Sequence, residues 1–400
     1  MAHNLILVLN CGSSSLKGAL IDNESKELVM SCLAEKLTTP DAYITFKKDG
    51  EKHTVTLTDR HDHTGAVGAL LDEMKSLGLQ EHVKAIGHRV VHGGEKYSGS
   101  VVINEDVIST LEACIPLAPL HNPANLTGIR AAQTIFPDLP NIGVFDTAFH
   151  QTMPQHAYTY AVPRELYRQY GFRRYGFHGT SYRYVAPTAA KLLGTDVQHC
   201  RLIIAHLGNG ASICAVKNGE SMDTSMGVTP LEGLVMGTRS GDVDPSVYSF
   251  LAANAGMDEK TVTDMLNKKS GLLGISELSN DCRAIEEGAD EGHEGAKLAM
   301  EVMTYRLAKY IASMAVATGG IDALVFTGGI GENSMAVRSK TVAYLGFLGL
   351  EIDEKANEAT RFGAEGVISP AGKKPAVLVV PTNEELMIAM DTSRLAGLSS

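Results

Sequence analysis

The stretches LILVLNCGSSSLKGALIDN (residues 5–23) and LIIAHLGNGASICAVKNG (202–219) decide the fold. Leu5–Leu9 is a short apolar run of the kind strands use, Asn10-Cys11-Gly12-Ser13-Ser14-Ser15 turns, and a second run reaches Ile21 before Asp22-Asn23 stops it. The mid-chain stretch repeats the plan: Leu202–Ala205 is apolar, His206-Leu207-Gly208-Asn209-Gly210 turns, and Ala211–Val216 runs on to Asn218-Gly219. Aligning Gly12 with Gly208 sets Asn10 against His206 and Ser13 against Asn209. Two strand–Gly-turn–strand units half a chain apart predict an internal duplication.

Strands and helices alternate around these units. Lys84–Val91, Asn141–Phe145 and Ala323–Phe326 read as buried strands. Asp106–Cys114, Pro123–Ile135, Tyr182–Leu193 and Ala296–Thr318 read as helices, the last ending at Gly319-Gly320. A third Gly-rich turn, Gly328-Gly329-Ile330-Gly331-Glu332-Asn333, follows the last strand, and 288–295 (GADEGHEG) reads as a surface loop. Such alternation predicts α/β architecture. The 400 residues suffice for about two domains of roughly 100–200 residues each, with a boundary near residue 150.

A net charge of −11 argues against a nucleic-acid surface, which needs a basic patch, and no run approaches the roughly 20 apolar residues of a membrane span. The N-terminal run lacks a basic flank and reads as a strand, not a signal peptide. The six cysteines form no CxxC pair and read as scattered thiols of a reducing compartment, so the expected location is the cytoplasm.

Glycine lets successive backbone N–H groups converge on phosphate oxygens, and three Gly-rich turns behind strands therefore point to phosphate handling. Lys17 follows the first turn, either as a cation for a phosphate or as an ordinary exposed lysine. GxxxxGK[ST], a helix-opening GxGxxG and the HRD and DFG motifs are all missing, which leaves another type of phosphate site. Arg89 lies within an apolar strand that ends in Gly93-Gly94, where an unpaired charge is expensive; it is either salt-bridged or aimed at an anion. Arg239 sits in a glycine-flanked loop, Gly237-Thr238-Arg239-Ser240-Gly241, and two guanidinium forks suit a carboxylate and a phosphoryl group. Asp146 directly follows a strand, the place of many α/β sites, but also suits a helix N-cap. His178 is either structural or a donor to developing charge.

Three patterns are set aside. Asp242-Val243-Asp244-Pro245-Ser246 resembles a phosphatase nucleophile motif but lacks the preceding strand. His61-Asp62-His63 reads as solvated loop, and His88 with His92 has zinc-helix spacing on a β-branched segment without HExxH.

Taken together, LVLNCGSSSLK (7–17), GHRVVHGGEKY (87–97), APLHNP (118–123), VFDTAFHQTMP (144–154), RRYGFHGTSYRYV (173–185), HLGNGASI (206–213), DTSMGVTPLEGLVMGTRSGDVDP (223–245), SGLLGISELSNDCR (270–283), FTGGIGENS (326–334) and PTNEEL (381–386) resemble the acetate kinase family over nearly the whole chain. That family belongs to the larger group of sugar kinase, Hsp70 and actin-like ATPases.

The resemblance implies two similar α/β domains with a duplicated ribonuclease H-like core flanking an active-site cleft. The N-terminal domain would span 1–150 and take up the C-terminal segment 385–400, with the nucleotide-binding domain at 151–384. It implies Mg²⁺ or Mn²⁺ held by Asn10 and Glu384, ATP or ADP as co-substrate, and reversible in-line phosphoryl transfer to acetate giving acetyl phosphate. Ser13 and Lys17 would face the phosphates. His206, Leu207, Gly208, Asn209 and Gly210, then Asp281, Cys282 and Arg283, and finally Gly329, Ile330, Gly331, Glu332 and Asn333 would hold the nucleotide. Arg89, Val91 and His121 would bind the acyl group, with Asp146, His178 and Arg239 catalytic, in a homodimer. Departures are Gly18, where a bulky residue is common, and Tyr182, where histidine is frequent. The nearest alternative is propionate kinase; Val91, two residues from Arg89, favours acetate. A nucleotide-gated binding module is the remote one.

Overall fold

The computed structural model describes residues 4–398. Among them the chain divides into two compact units: one runs to Gln151 and resumes at Asn383, the other spans Thr152–Thr382.

The first unit is built on β1 (Leu5–Cys11), β2 (Leu16–Asp22), β3 (Leu28–Glu35), β4 (Tyr43–Lys48), β5 (Glu51–Thr56), β6 (Val83–Val90), β7 (Val101–Val102) and β8 (Asn141–Phe145), ordered β5-β4-β3-β2-β1-β6-β8-β7. β1, β2 and β3 pair antiparallel, and β6 lies parallel to both β1 and β8. Continuous apolarity in β1 follows from burial on both faces. Leu5, Leu7 and Leu9 join Val67, Leu70 and Met74 of helix His63–Ser76 and Ala131 and Ala132 of helix Asn122–Ile135. Ile6 and Val8 pack with Ala85, Ile142 and Val144, and with Ile388 and Ala389 of helix Glu384–Leu395. Each of these Leu, Ile, Val and Met side chains contributes about 1.5–3 kcal/mol when fully buried. The last helix presses so closely on β6 that a Cβ at Gly87 would fall 2.2 Å from Thr392 Oγ1.

The second unit carries β9 (Arg201–Leu207), β10 (Ala211–Lys217), β11 (Glu220–Thr224), β12 (Ala323–Thr327), β13 (Gly366–Val367) and β14 (Ala376–Val379), ordered β11-β10-β9-β12-β14-β13. β9, β10 and β11 pair antiparallel, while β12 lies parallel to β9 and β14. Each unit therefore has an antiparallel meander whose first strand carries two parallel strands on its far side. This is the ribonuclease H-like core of actin- and Hsp70-type folds, present twice. The two hairpins share a plan, with the turns differing by one residue: Gly12 N–H donates to Ser15 O at 2.9 Å, and Gly208 N–H to Gly210 O at 3.0 Å.

Three local expectations are corrected. Gly328–Asn333 is a short helix springing directly from β12, not a turn. Helix Cys282–Asp290 runs into the expected 288–295 loop, and the next helix starts at Glu294. His61–His63 is a helix start, because the Asp62 carboxylate accepts the Gly65 N–H at 2.9 Å as an N-cap. His63 is buried, with Nε2 at 2.7 Å from Gly12 O. Among the described residues no helix is long and apolar enough to cross a membrane.

Candidate functional site

In the first unit the parallel pairing of β6 with β8 sets Arg89 beside Val144 and Val90 beside Phe145, and Asp146 leaves β8 next to Arg89. The Asp146 N–H donates to Val90 O at 3.0 Å. Its carboxylate is 1% exposed and accepts two bonds from Arg89, Nε to Oδ1 at 3.0 Å and Nη2 to Oδ2 at 2.8 Å. Neither an N-cap role for Asp146 nor a lone anion-seeking arginine describes this pair. The Arg89 side chain keeps 28% exposure, and its pKa is raised chiefly by the facing carboxylate.

Arg89 opens on a cavity of about 220 Å³ that Asn10, Lys17, Glu384 and Glu385 also line. Asn10 and Lys17 are cross-strand partners on β1 and β2; Ser13 and Lys17 are exposed. Glu384 opens its helix behind the N-cap Asn383, whose side chain accepts the Leu386 N–H at 3.0 Å. Burial pushes the Glu384 carboxyl up to about 7; Arg89 opposes the shift, and Asp146 and Glu385 add to it. The site thus sets three carboxyl groups, Asp146, Glu384 and Glu385, against two cations, Arg89 and Lys17. A neutral amide oxygen from Asn10 beside the Glu384 carboxylate is a hard-oxygen donor set that fits a divalent cation. Such a cation would supply the missing charge, and one or two protein ligands suffice where phosphates and water complete the shell. No three His, Cys, Asp or Glu side chains among the described residues form a closed metal cage.

β6 ends at Val90, so Val91 lies one residue past the strand and two-residue alternation does not govern it. Val91 is buried, and its N–H donates to Asn125 Oδ1 at 2.9 Å, while Asn125 Nδ2 donates to Cys11 O at 3.0 Å. Asn125 thereby ties the ends of β1 and β6 together. Its own N–H is held by His121 O at 3.0 Å, which places the half-buried His121 at the start of the same helix. His88 is buried and neutral, pushed down to about 4 by burial, with Nε2 on Asn141 Oδ1. His92 sits at the N–H of Gly94, on a different partner.

In the second unit three segments distant in sequence meet at the 206–210 turn. Gly328 adopts φ +78° with Leu207 O 2.7 Å from the position of a Cβ, so only glycine brings the 328–333 helix onto the turn. Gly237 N–H donates to Asn209 O at 3.0 Å, and Asn280 Nδ2 to Asn209 Oδ1 at 3.3 Å. The Arg239 guanidinium lies over Gly210, where a Cβ would come within 3.3 Å of Nη2. Arg239 Nη1 donates to Pro230 O at 3.0 Å. An apolar crevice lined by Leu207, Gly208, Val235, Met236, Leu272 and Ile330 adjoins the turn.

Asp281 N-caps the next helix through the Arg283 N–H at 3.0 Å, and Arg283 is exposed. Cys282 is buried with its thiol pushed up to about 12, which leaves its backbone as the accessible part. Glu332 is half-buried, its carboxyl raised by burial, and Asn333 Nδ2 donates to Gly329 O at 3.0 Å. His178, in the left-handed region at φ +58°, precedes helix Gly179–Leu192 and stacks on His206 at 4.1 Å.

Several supporting residues carried no usable signal in the sequence. Arg338 is fully buried and donates to Gly331 O at 3.2 Å and Glu332 O at 3.3 Å, gripping the end of the short helix. Arg361 Nε holds Asn333 O at 2.9 Å. Asp242, from the discarded phosphatase-like pattern, accepts the Gly233 N–H at 2.8 Å and closes the loop that carries Arg239.

The family model described as the acetokinase family matches residues 5–390. Acetate kinase 2 of Neisseria meningitidis serogroup B is 70% identical over 100% of both chains, and acetate kinase of Deinococcus radiodurans 55% identical over 98% of both. Among solved structures, Porphyromonas gingivalis acetate kinase superposes with a TM-score of 0.93 at 48% identity, covering 98% of this chain and 99% of its own. A propionate kinase from Francisella tularensis gives 0.92 at 47%, covering 98% and 100%.

Proposed function

The chain belongs to the acetokinase family, and from that premise we propose that it catalyses reversible transfer of the ATP γ-phosphoryl group to acetate, giving acetyl phosphate and ADP. The observation that carries this reading is the Arg89–Asp146 pair opening on the cavity shared with Asn10 and Glu384. With Nε and Nη2 on Asp146, Arg89 keeps the Nη1 hydrogens and the second Nη2 hydrogen for a small carboxylate, and the oxygen donors beside it suit a metal that accompanies phosphates. The proposed acceptor and metal residues belong to the first unit; the proposed nucleotide-binding turns and the apolar crevice belong to the second.

Phosphoryl transfer asks for positioning and neutralisation of charge on the equatorial oxygens, not for a protein nucleophile. Acetate is already ionised at neutral pH, so no proton needs removal. Asp146 holds the Arg89 fork in place, and Arg89 orients the acetate oxygens with Val91 and His121 bordering the acyl group. Ser13, Lys17 and the 206–210 turn take phosphate oxygens; Asp281, Cys282 and Arg283 with the 329–333 segment take the nucleoside. His178 and Arg239 meet charge that develops on the migrating group. Mg²⁺, or Mn²⁺ in its place, would sit at Asn10 and Glu384 and neutralise the β- and γ-phosphates when bound.

An ATP-coupled assay with acetate, propionate, butyrate or no acid, with Mg²⁺ or with EDTA, tests this. Turnover will require both acid and metal, and kcat/KM will favour acetate over propionate by about tenfold, the lower range for one methylene. A propionate preference would overturn the substrate assignment, and acid-independent turnover would favour the binding module.

We also propose a homodimer in the cytoplasm. Helix Val247–Ala255 (VYSFLAANA) is strongly apolar yet has no buried residue, and Phe250 is 64% exposed. An apolar helix left uncovered suits a partner surface, and six buried, unbridged thiols suit a reducing compartment. Sedimentation will give a dimer for the native chain and monomer for Phe250→Glu; a native monomer refutes the pairing.

A further inference from the structure

The departure at Tyr182 has a structural consequence inside the second unit. His178 and Tyr182 are one helical turn apart, and both reach Ser212 on β10. Ser212 Oγ lies 2.7 Å from His178 Nδ1 and 2.5 Å from the Tyr182 hydroxyl. Ser212 and Tyr182 are both fully buried. A serine hydroxyl has one proton and two lone pairs, and Ser212 is buried with these two groups as the partners of its Oγ; satisfying its proton leaves two directions for the chain. Running from tyrosine to histidine, the phenol donates to Ser212 and Ser212 donates to Nδ1, which leaves the ring proton on Nε2. Running the other way, Nδ1 carries the proton.

Chemistry favours the first direction. A phenol is the stronger donor of the two hydroxyls and the weaker acceptor, and an unprotonated imidazole nitrogen accepts better than a phenolic oxygen. A chain with its best donor at one end and its best acceptor at the other is polarised cooperatively. The stacked neighbour is held alike: His206 Nδ1 lies 2.8 Å from Ser181 Oγ, which lies 2.7 Å from Thr382 Oγ1. Both rings of the 4.1 Å stack are thus anchored at Nδ1 by a buried serine, with Nε2 as the other polar edge.

We propose that the Tyr182–Ser212 hydroxyl chain fixes His178 as its Nε2–H tautomer, which makes Ser212 and Tyr182 positioning residues for phosphoryl transfer. The proposal rests on the reading that His178 meets charge developing on the migrating group. A neutral ring with Nε2–H donates to an anionic oxygen without first being protonated, whereas the other tautomer would turn a lone pair toward it.

The test uses the full-length enzyme labelled with ¹⁵N-histidine, the His178 signals being assigned by their loss in His178→Gln. Native enzyme will show a protonated Nε2 and an unprotonated, hydrogen-bonded Nδ1, and Ser212→Ala will shift the ring toward a tautomer mixture. Ser212→Ala and Tyr182→Phe will lower kcat by roughly 10-fold or more with both KM values within about twofold, the scale at which residues orienting a functional histidine act. Ser212→Thr, which keeps the hydroxyl, will restore the rate. In the His178→Gln background Ser212→Ala will add no further loss. A native Nδ1–H tautomer, or unchanged kcat in Ser212→Ala and Tyr182→Phe, overturns the proposal; Tyr182→Phe keeps the shape of the core should the serine variant fold poorly. Full activity in His178→Gln would instead remove His178 from the reaction, while the spectrum still decides the direction of the chain.

Discussion

Asp146→Asn will lower kcat/KM for acetate by roughly a hundredfold, with KM for acetate rising and KM for ATP held within about twofold. The carboxylate is 1% exposed and takes two N–H groups of Arg89 through its two oxygens. Asparagine keeps one acceptor and turns an amide NH₂ toward a guanidinium that has nothing to accept with. Breaking a buried pair by removing one partner typically costs about 3–5 kcal/mol, and the 28% exposure of Arg89 brings the expectation to the lower end, about 3 kcal/mol. At about 1.4 kcal/mol per factor of ten this is roughly two orders of magnitude. The freed guanidinium will turn to Glu384, one of the two glutamates on its cavity, and so leave the position proposed to receive the acceptor.

The acetate KM separates two roles for the same aspartate. A general base would leave substrate binding intact and abolish turnover, but an ionised acetate offers it no proton to take. An orienting carboxylate acts through Arg89 and must weaken acetate. Initial rates at varied acetate decide: loss of kcat at unchanged acetate KM would assign Asp146 a direct chemical role, and near-normal turnover would sink the placement of the acceptor site.

Arg89 itself was legible in the sequence, because a cation inside an apolar strand demands a counter-charge. Its partner was not, since 57 residues separate them and only the parallel pairing of β6 with β8 brings them together. The hairpins and their duplication were legible for a related reason: strands buried on both faces read as unbroken apolar runs, and Gly-rich turns punctuate them. The 328–333 helix was illegible because glycine has poor helix propensity; its C-terminal carbonyls are held by Arg338 and Arg361, whose own sequence surroundings show nothing of this. Asn125, His63 and Ser212 are ordinary residue types made consequential by long-range contacts with Cys11, Gly12 and His178. The reaction and the individual residue roles came from resemblance, since phosphate turns and paired arginines fit many anions.

Arg239→Ala will reduce kcat by about a thousandfold while both KM values stay within roughly threefold, the lower range for an arginine that meets transferring phosphoryl charge. The side chain is held before any substrate arrives. Its Nη1 donates to Pro230 O at 3.0 Å, and the guanidinium lies over the Gly210 turn. Its loop is closed independently, by Asp242 Oδ1 on Gly233 N–H at 2.8 Å and by Arg306 Nη1 on Ser240 O at 2.8 Å. Removing the side chain therefore leaves the loop backbone supported, and the loss should be chemical, without unfolding. A preset cation needs little reorganisation during the reaction, which is why its removal should act on kcat and little on ground-state binding. Arg239→Lys will recover only part of the rate, because an ammonium lacks the planar fork that spans two oxygens. Added guanidinium should restore activity to the alanine variant. A change confined to KM would place Arg239 in substrate binding alone and remove it from the transition state.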